Sequence, residues 1–251
     1  MITGVNSGTQ TAEKRYLALS EHLTARARLV DNKRSAEHSR LLILAAASRM
    51  AGTRDFLEIR VPDLCKACAI SRATFYLHFE GRDELFAELM RQLTALESSL
   101  TPSLADCPDV VSGVEAIVDW YIDVHLANAS LFQNLTFLRR TNRAINESWL
   151  DRARILHRAV TDELNRFEEF RALDPAEANF ALEFLAGGIN SVISRVNTKL
   201  PRNPFVPAEL AELKTAVTRL FHRGLLGGDP RPHRQAGSTR NDRSPRRSLG
   251  T

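Results

Sequence analysis

Cys65, Cys68 and the run Ser71-Arg72-Ala73-Thr74-Phe75-Tyr76-Leu77-His78-Phe79 crowd the side chains most capable of chemistry into one short stretch. The C-x-x-C spacing is half of a zinc site, or a redox pair. No second C-x-x-C and no H-x-x-x-H completes a ligand set. The pair therefore reads as two small side chains packed between helices, and no metal is assigned. Cys107 has no basic neighbour in sequence to favour its thiolate. His22, His38, His78, His125, His157, His222 and His233 are scattered, none at ligand spacing with another. The chain lacks G-x-S-x-G, a phosphate-cradling glycine loop and H-E-x-x-H. No catalytic residue and no cofactor is expected, which disfavours an all-helical enzyme.

What remains is polar readout, and the elements that would position it are legible. Two short helical patterns lie between Val61 and Phe79. Pro62 suits a first helical turn, and Leu64 and Cys68 point inward four residues apart. Ser71 can cap the second helix, whose Phe75 and Phe79 share one face. Arg72, Ala73, Thr74, Tyr76 and His78 then point elsewhere. Cys68-Ala69-Ile70 is the turn. Such a hairpin is what a helix-turn-helix DNA reader needs, although the same pattern also serves packing alone.

The segment S-R-A-T-F-Y-L-H-F followed by E-G-R-D-E-L-F resembles the signature of the tetracycline-repressor (TetR) family of bacterial transcription regulators. The match runs from about Leu41 to Leu93. The resemblance implies an all-α fold with an N-terminal three-helix DNA-binding domain and a larger helical domain for ligand and dimerisation. It places Ser71, Tyr76, His78 and Arg82 on the phosphate backbone, with Arg60 able to join them. Arg72 and Thr74, in the first turn of the reading helix, are the candidates for base contacts, with Ala73 between them. Four positions depart from the family pattern: Arg60 in place of a Ser or Thr cap, Ala69 in place of the turn Gly, Gly81 in place of a Ser or Asn cap, and Arg82 in place of Lys.

Composition sets outer bounds. At 251 residues, with 43% hydrophobic and 25% charged residues, the chain has ample material for a globular core. No apolar run approaches the ~20 residues of a membrane span, and no secretory signal is visible. Three cysteines suit a reducing compartment, so a cytoplasmic protein is expected. The net charge of +4 is unevenly spread. Residues 1–40 carry seven basic against four acidic side chains, and residues 227–251 six Arg against two Asp. Basic ends thus flank an acidic body.

Four regions follow. Residues 1–34 read as a basic, flexible extension, in which Glu13 to Val30 suits either a helical arm touching DNA or a solvated tail. Residues 35–81 read as the helix-turn-helix domain and 82–226 as the regulatory and dimerisation domain, with 82–100 as the linking helix. Residues 227–251 read as a disordered basic tail. Helical spacing continues from Val110 to Leu126, Ser130 to Leu138, Thr141 to Phe170, Asp174 to Lys199 and Pro207 to Leu226, and no segment alternates with period two. Trp120, Tyr121, His125, Phe137, Trp149 and Phe184 are candidates for a cavity binding a small apolar effector. By the resemblance, the last two helices pair across a dimer axis, with Phe184, Gly188, Val192, Leu213, Val217 and Phe221 as candidates. The expected partners are double-stranded operator DNA, a second copy and the effector, and no membrane. The expected activity is that of a homodimeric repressor released from a palindromic operator. The alternative keeps DNA binding but has a C-terminal domain that only dimerises or binds a protein.

Overall fold

The computed structural model describes residues 17–199 and 207–227. Residues 1–16 and 228–251, with most of both charged ends, and the proline-bearing segment 200–206 lie outside the described residues. Among the described residues every regular element is helical, and no helix is long and apolar enough to cross a membrane.

The head is built from α1 (Leu19–Leu29), α2 (Ala36–Ala51), a 3-10 turn (Phe56–Glu58), α3 (Val61–Cys68) and α4 (Arg72–Tyr76). The segment that by sequence suits a helical arm or a solvated tail holds α1, which is not a free extension: its Leu19, Leu23 and Ala27 are buried against α2. An apolar side chain at each turn is enough to hold it down, since each buried Leu contributes about 1.5–3 kcal/mol. Ser35 caps α2 by accepting from the His38 amide. The long linking helix α5 (Arg82–Leu100) buries Leu85, Phe86, Leu89, Met90, Leu93 and Leu96.

Beyond it come α6 (Val110–Ala127), α7 (Ala129–Leu138), α8 (Arg143–Leu164), α9 (Glu168–Arg171), α10 (Pro175–Lys199) and α11 (Pro207–Leu226). The single helix expected from Thr141 to Phe170 is two, because the chain breaks after Leu164 and turns Phe167 toward α6. There it lies so close to Gly113 that a Cβ at that glycine would sit 2.7 Å from the Phe167 ring. Asp174 starts α10 by accepting from the amides of Ala176 and Glu177, and Gly227, at φ 73°, follows the end of α11.

Two cores result. One gathers α1 to α5 with Leu131, Phe132, Leu135 and Leu138 of α7 and Ile145 of α8. The other lies among α6, the later turns of α8, and α9, α10 and α11. The first core therefore runs past residue 81, and α5 and α7 complete it.

Candidate nucleic-acid interface and effector cavity

The reading turn is built from burial on one side and exposure on the other. Phe75 and Phe79 are fully inside, and Phe75 meets Tyr76 edge-on. Ser71 caps α4 by accepting from the Thr74 amide at 3.0 Å, and its hydroxyl also lies 2.9 Å from that of Thr74. The helix is short, Arg72–Tyr76, with Leu77 to Phe79 continuing as a turn. Ser71, Arg72, Ala73 and Tyr76 are exposed, while Thr74 and His78 are half-buried. Arg60 is exposed at the start of α3 and caps nothing with its side chain. These residues lie around one hairpin, as the sequence pattern required. Burial, with Arg40 nearby, keeps the His78 imidazole below its usual range.

Arg82 is placed differently from expectation. Its guanidinium donates to the Ile59 carbonyl oxygen at 2.8 Å and lies over the Phe56 ring. It ties α5 to the segment leading into α3 and does not reach outward. Ala69, the departure at the turn, takes the left-handed conformation, φ 53°, and its amide reaches back to Lys66. The cysteines beside it are quiet. Cys68 donates to the Leu42 carbonyl oxygen, and burial, with Cys65 adding to it, pushes its thiol up to about 11. Burial and the acidic Asp106, Asp109 and Glu163 likewise raise the Cys107 thiol.

Among the helices of the second core lies a cavity of about 530 Å³. Trp120, Tyr121, Trp149, Leu156, Leu182 and Phe221 contribute to its wall, together with Arg139, Arg152, Glu183 and Asn190. A smaller space of about 230 Å³ adjoins it through Trp149 and Asn190 and is lined by His125 and Phe132. The structure thus brings Trp120, Tyr121, His125 and Trp149 together. Phe137 and Phe184 are not part of this wall, being 58% and 81% exposed. Both sit on outward faces of helices whose inward faces are already filled by other apolar side chains. Val217 and Phe221, expected on a dimer face, are instead buried within the chain, because α11 turns that stripe onto α6. Val192 and Leu213 are half-buried, and Gly188 is open, with nothing within 4 Å of a Cβ built there.

Sequence reasoning missed the charged centre of this region. Glu97 of α5 and Arg152 of α8 form a bidentate pair at 2.6 Å on both contacts, 1% and 4% exposed at the side chain. The Arg152 guanidinium also lies over the rings of Phe132 and Trp149. His125 stacks flat on Phe132, donates from Nδ1 to the Tyr121 carbonyl oxygen and accepts from Arg152 through Nε2. Burial and the adjacent Arg152 hold His125 well below the usual imidazole range, so it is neutral. Asn190 donates to the Tyr121 hydroxyl. The available signal was a charge standing on an apolar stripe, Glu97 beside Leu93 and Leu96, and Arg152 between Ile145 and Leu156.

Two further missed residues join the halves. Asn134 of α7 accepts from the Phe56 amide and donates to the carbonyls of Ala51 and Arg54. Asn128 accepts from the Leu19 amide and donates to the Leu17 carbonyl, fixing the start of α1.

Residues 43–89 match the family described as bacterial regulatory proteins, tetR family. The chain is 43% identical over 51 residues to the HTH-type transcriptional regulator EthR of Mycolicibacterium smegmatis and 32% identical over 66 residues to the HTH-type transcriptional regulator YdgC of Bacillus subtilis. Those stretches are 20% and 26% of this chain, and the chain spans only 24% and 34% of the two relatives' lengths. The fold is similar to that of Salmonella enterica GusR, with a TM-score of 0.62 at 18% identity over 78% of this chain and 100% of that one. The reading hairpin within residues 43–89 is thus of the TetR type, and it stands in an all-helical fold similar to that of GusR.

Proposed function

We propose that the protein is a homodimeric DNA-binding repressor that leaves a palindromic operator when a small, largely apolar molecule fills the cavity among α6, α8 and α10. The observation that carries the DNA-binding part is the reading turn, where Arg72 and Tyr76 are exposed on a helix whose Phe75 and Phe79 are buried. A rigid apolar footing with polar groups on the outer side is what insertion into a major groove requires. Arg72 and Thr74 read bases, with Ala73 between them, while Ser71, Tyr76, His78 and Arg60 meet the backbone. Arg82 acts from behind, by holding the approach to α3. The cavity favours an effector over a purely dimerising domain, since its volume lies in the range of small-molecule sites. Dimerisation is supported by an uncovered apolar strip on α10 and α11, where Phe180, Phe184 and Leu220 are 72%, 81% and 56% exposed beside the open Gly188.

Fluorescence anisotropy of the full chain on duplexes tiled upstream of its own gene tests the reading. One duplex containing an inverted repeat is expected to bind far more tightly than the rest. Arg72→Ala is expected to cost about 1–3 kcal/mol on it and relax preference at one base pair per half-site, whereas Arg60→Ala lowers affinity for all duplexes and flattens the salt slope by about one unit per subunit. Equal binding to every duplex, or an Arg72→Ala variant that keeps full preference, overturns the assignment.

A further inference from the structure

The cavity wall carries a feature that an apolar effector alone leaves unused. Arg152 both faces the cavity and holds Glu97, so one guanidinium belongs at once to the binding site and to the linking helix. Trp120 Nε1 and His157 Nε2, on residues of the same wall, are buried with no hydrogen-bond partner, and an indole nitrogen can only donate. Arg139, stacked over Trp149, adds a second guanidinium to the wall, and Glu183 is the one carboxylate that lines it among the described residues. Donors and guanidinium groups thus outnumber acceptors inside an aromatic enclosure.

Resting on the small-molecule reading above, we infer that the effector is an apolar carboxylic acid whose carboxylate takes the place of Glu97 on Arg152. A guanidinium accepts one planar carboxylate as readily as another, so Arg152 loses little in the exchange. Glu97 loses everything, because it is left among apolar side chains with no counter-charge. The exchange completes only if Glu97 takes a proton. The acid enters as its carboxylate, a buffer acid gives up a proton that forms an O–H bond on the Glu97 carboxyl, and the charge inside the domain is unchanged. Burial already lifts the Glu97 carboxyl above the ordinary carboxylate range against the pull of Arg152. The other titratable groups of this cluster, Tyr121 and His125 of α6, are neutral and supply no competing positive charge. Because the acid is ionised in neutral solution, binding takes up about one proton from the buffer. The exchange also removes the ionic tie between α5 and α8, and α5 is the helix that carries the reading head.

Calorimetry on the full chain tests this with two matched sets: decanoic acid, decanol and decylamine below their micellar concentrations, and 2-naphthoic acid with its alcohol and its methylamine. An acid is expected to bind about tenfold or more tightly than its alcohol, as a charge-assisted contact requires. Titrations in buffers of different ionisation enthalpy are expected to show uptake of about one proton per acid bound. Glu97→Gln, which mimics the protonated carboxyl, is expected to bind the acid without proton uptake and to hold operator DNA weakly even with no ligand. The double variant Glu97→Gln/Arg152→Gln, with a neutral pair in place of the ions, is expected to bind acid and alcohol alike. An alcohol that binds as tightly as its acid to the unmodified protein, or an acid that binds with no proton uptake, overturns the exchange while leaving a small-molecule site intact. Binding of none of the six compounds sinks the small-molecule reading and the exchange with it.

Discussion

Single residues decide how the reading turn and the buried cluster behave. Ala69 pays the usual steric cost of a left-handed residue with a Cβ, and its backbone conformation is one that glycine adopts freely. Ala69→Gly is expected to raise stability by about 0.5–1 kcal/mol in urea unfolding, the smaller strain outweighing the added freedom of the unfolded chain. His125 makes stability depend on pH. Its folded value is depressed below 6.5, so its contribution is complete above about pH 6.5 and lost as pH falls toward the folded value, where the unfolded chain binds the extra proton. His22 and His78, also depressed, act in the same direction, while the raised Glu97 acts oppositely at lower pH. The unfolding free energy in urea is therefore expected to fall between pH 7.5 and pH 5.5, by at most about 1.4 kcal/mol in all from His125 alone, and His125→Gln is expected to flatten that fall. At this scale the sequence was legible where chemistry is local. Ser71, Phe75 and Phe79 declare a cap and a buried face within nine residues. Glu97 and Arg152 stand 55 residues apart, and nothing local to either one names its partner.

Among the elements, α7 has the most to do relative to its length. Its apolar side fills the head's core, its Phe132 stacks on His125, and its Asn134 satisfies three backbone groups between α2 and the 3-10 turn. Asn134→Ala is expected to cost about 1–3 kcal/mol, because a part-buried amide and two carbonyls lose partners together. Hydrogen exchange at the Phe56 amide is expected to speed up more than exchange in α11. A uniform loss of protection throughout the chain would show that the contact contributes only general stability. Helix positions were legible because the apolar spacing, the Ser35 and Asp174 caps and Pro207 are strong local signals. The break between α8 and α9 was not, since it depends on where Phe167 meets Gly113. The role of Arg82 was hidden for the same reason: a basic residue at a helix start looks alike in sequence whether it faces a phosphate or the Ile59 carbonyl.

For the whole molecule, the uncovered strip on α10 and α11 predicts assembly. Gly188→Glu places a carboxylate where the second copy's apolar face would lie, and burying an unpaired charge there costs several kcal/mol. Sedimentation is expected to show a dimer for the unmodified chain and a large shift toward monomer for the variant. A stable monomer of the unmodified chain at micromolar concentration would refute the two-headed arrangement. The all-helical class and the order of helices were legible from periodicity. Which stripe of α11 turns inward was not, because Val217, Phe221 and Leu220 are equally apolar and only the position of α6 separates them.

The core shared by the head with α5 and α7 has a consequence for modularity. An excised fragment ending near residue 81 would leave Phe56 without Phe86, which meets it edge-on at 4.5 Å, and would strip away Leu131 and Leu135 as well. The reader is thus no portable cassette: a hybrid regulator made by grafting residues 35–81 onto a foreign effector domain inherits the base-reading side chains without the scaffold that orients them. A graft that also carries α1, α5 and α7 transfers the whole folding unit, and the joint worth redesigning then lies beyond Leu138.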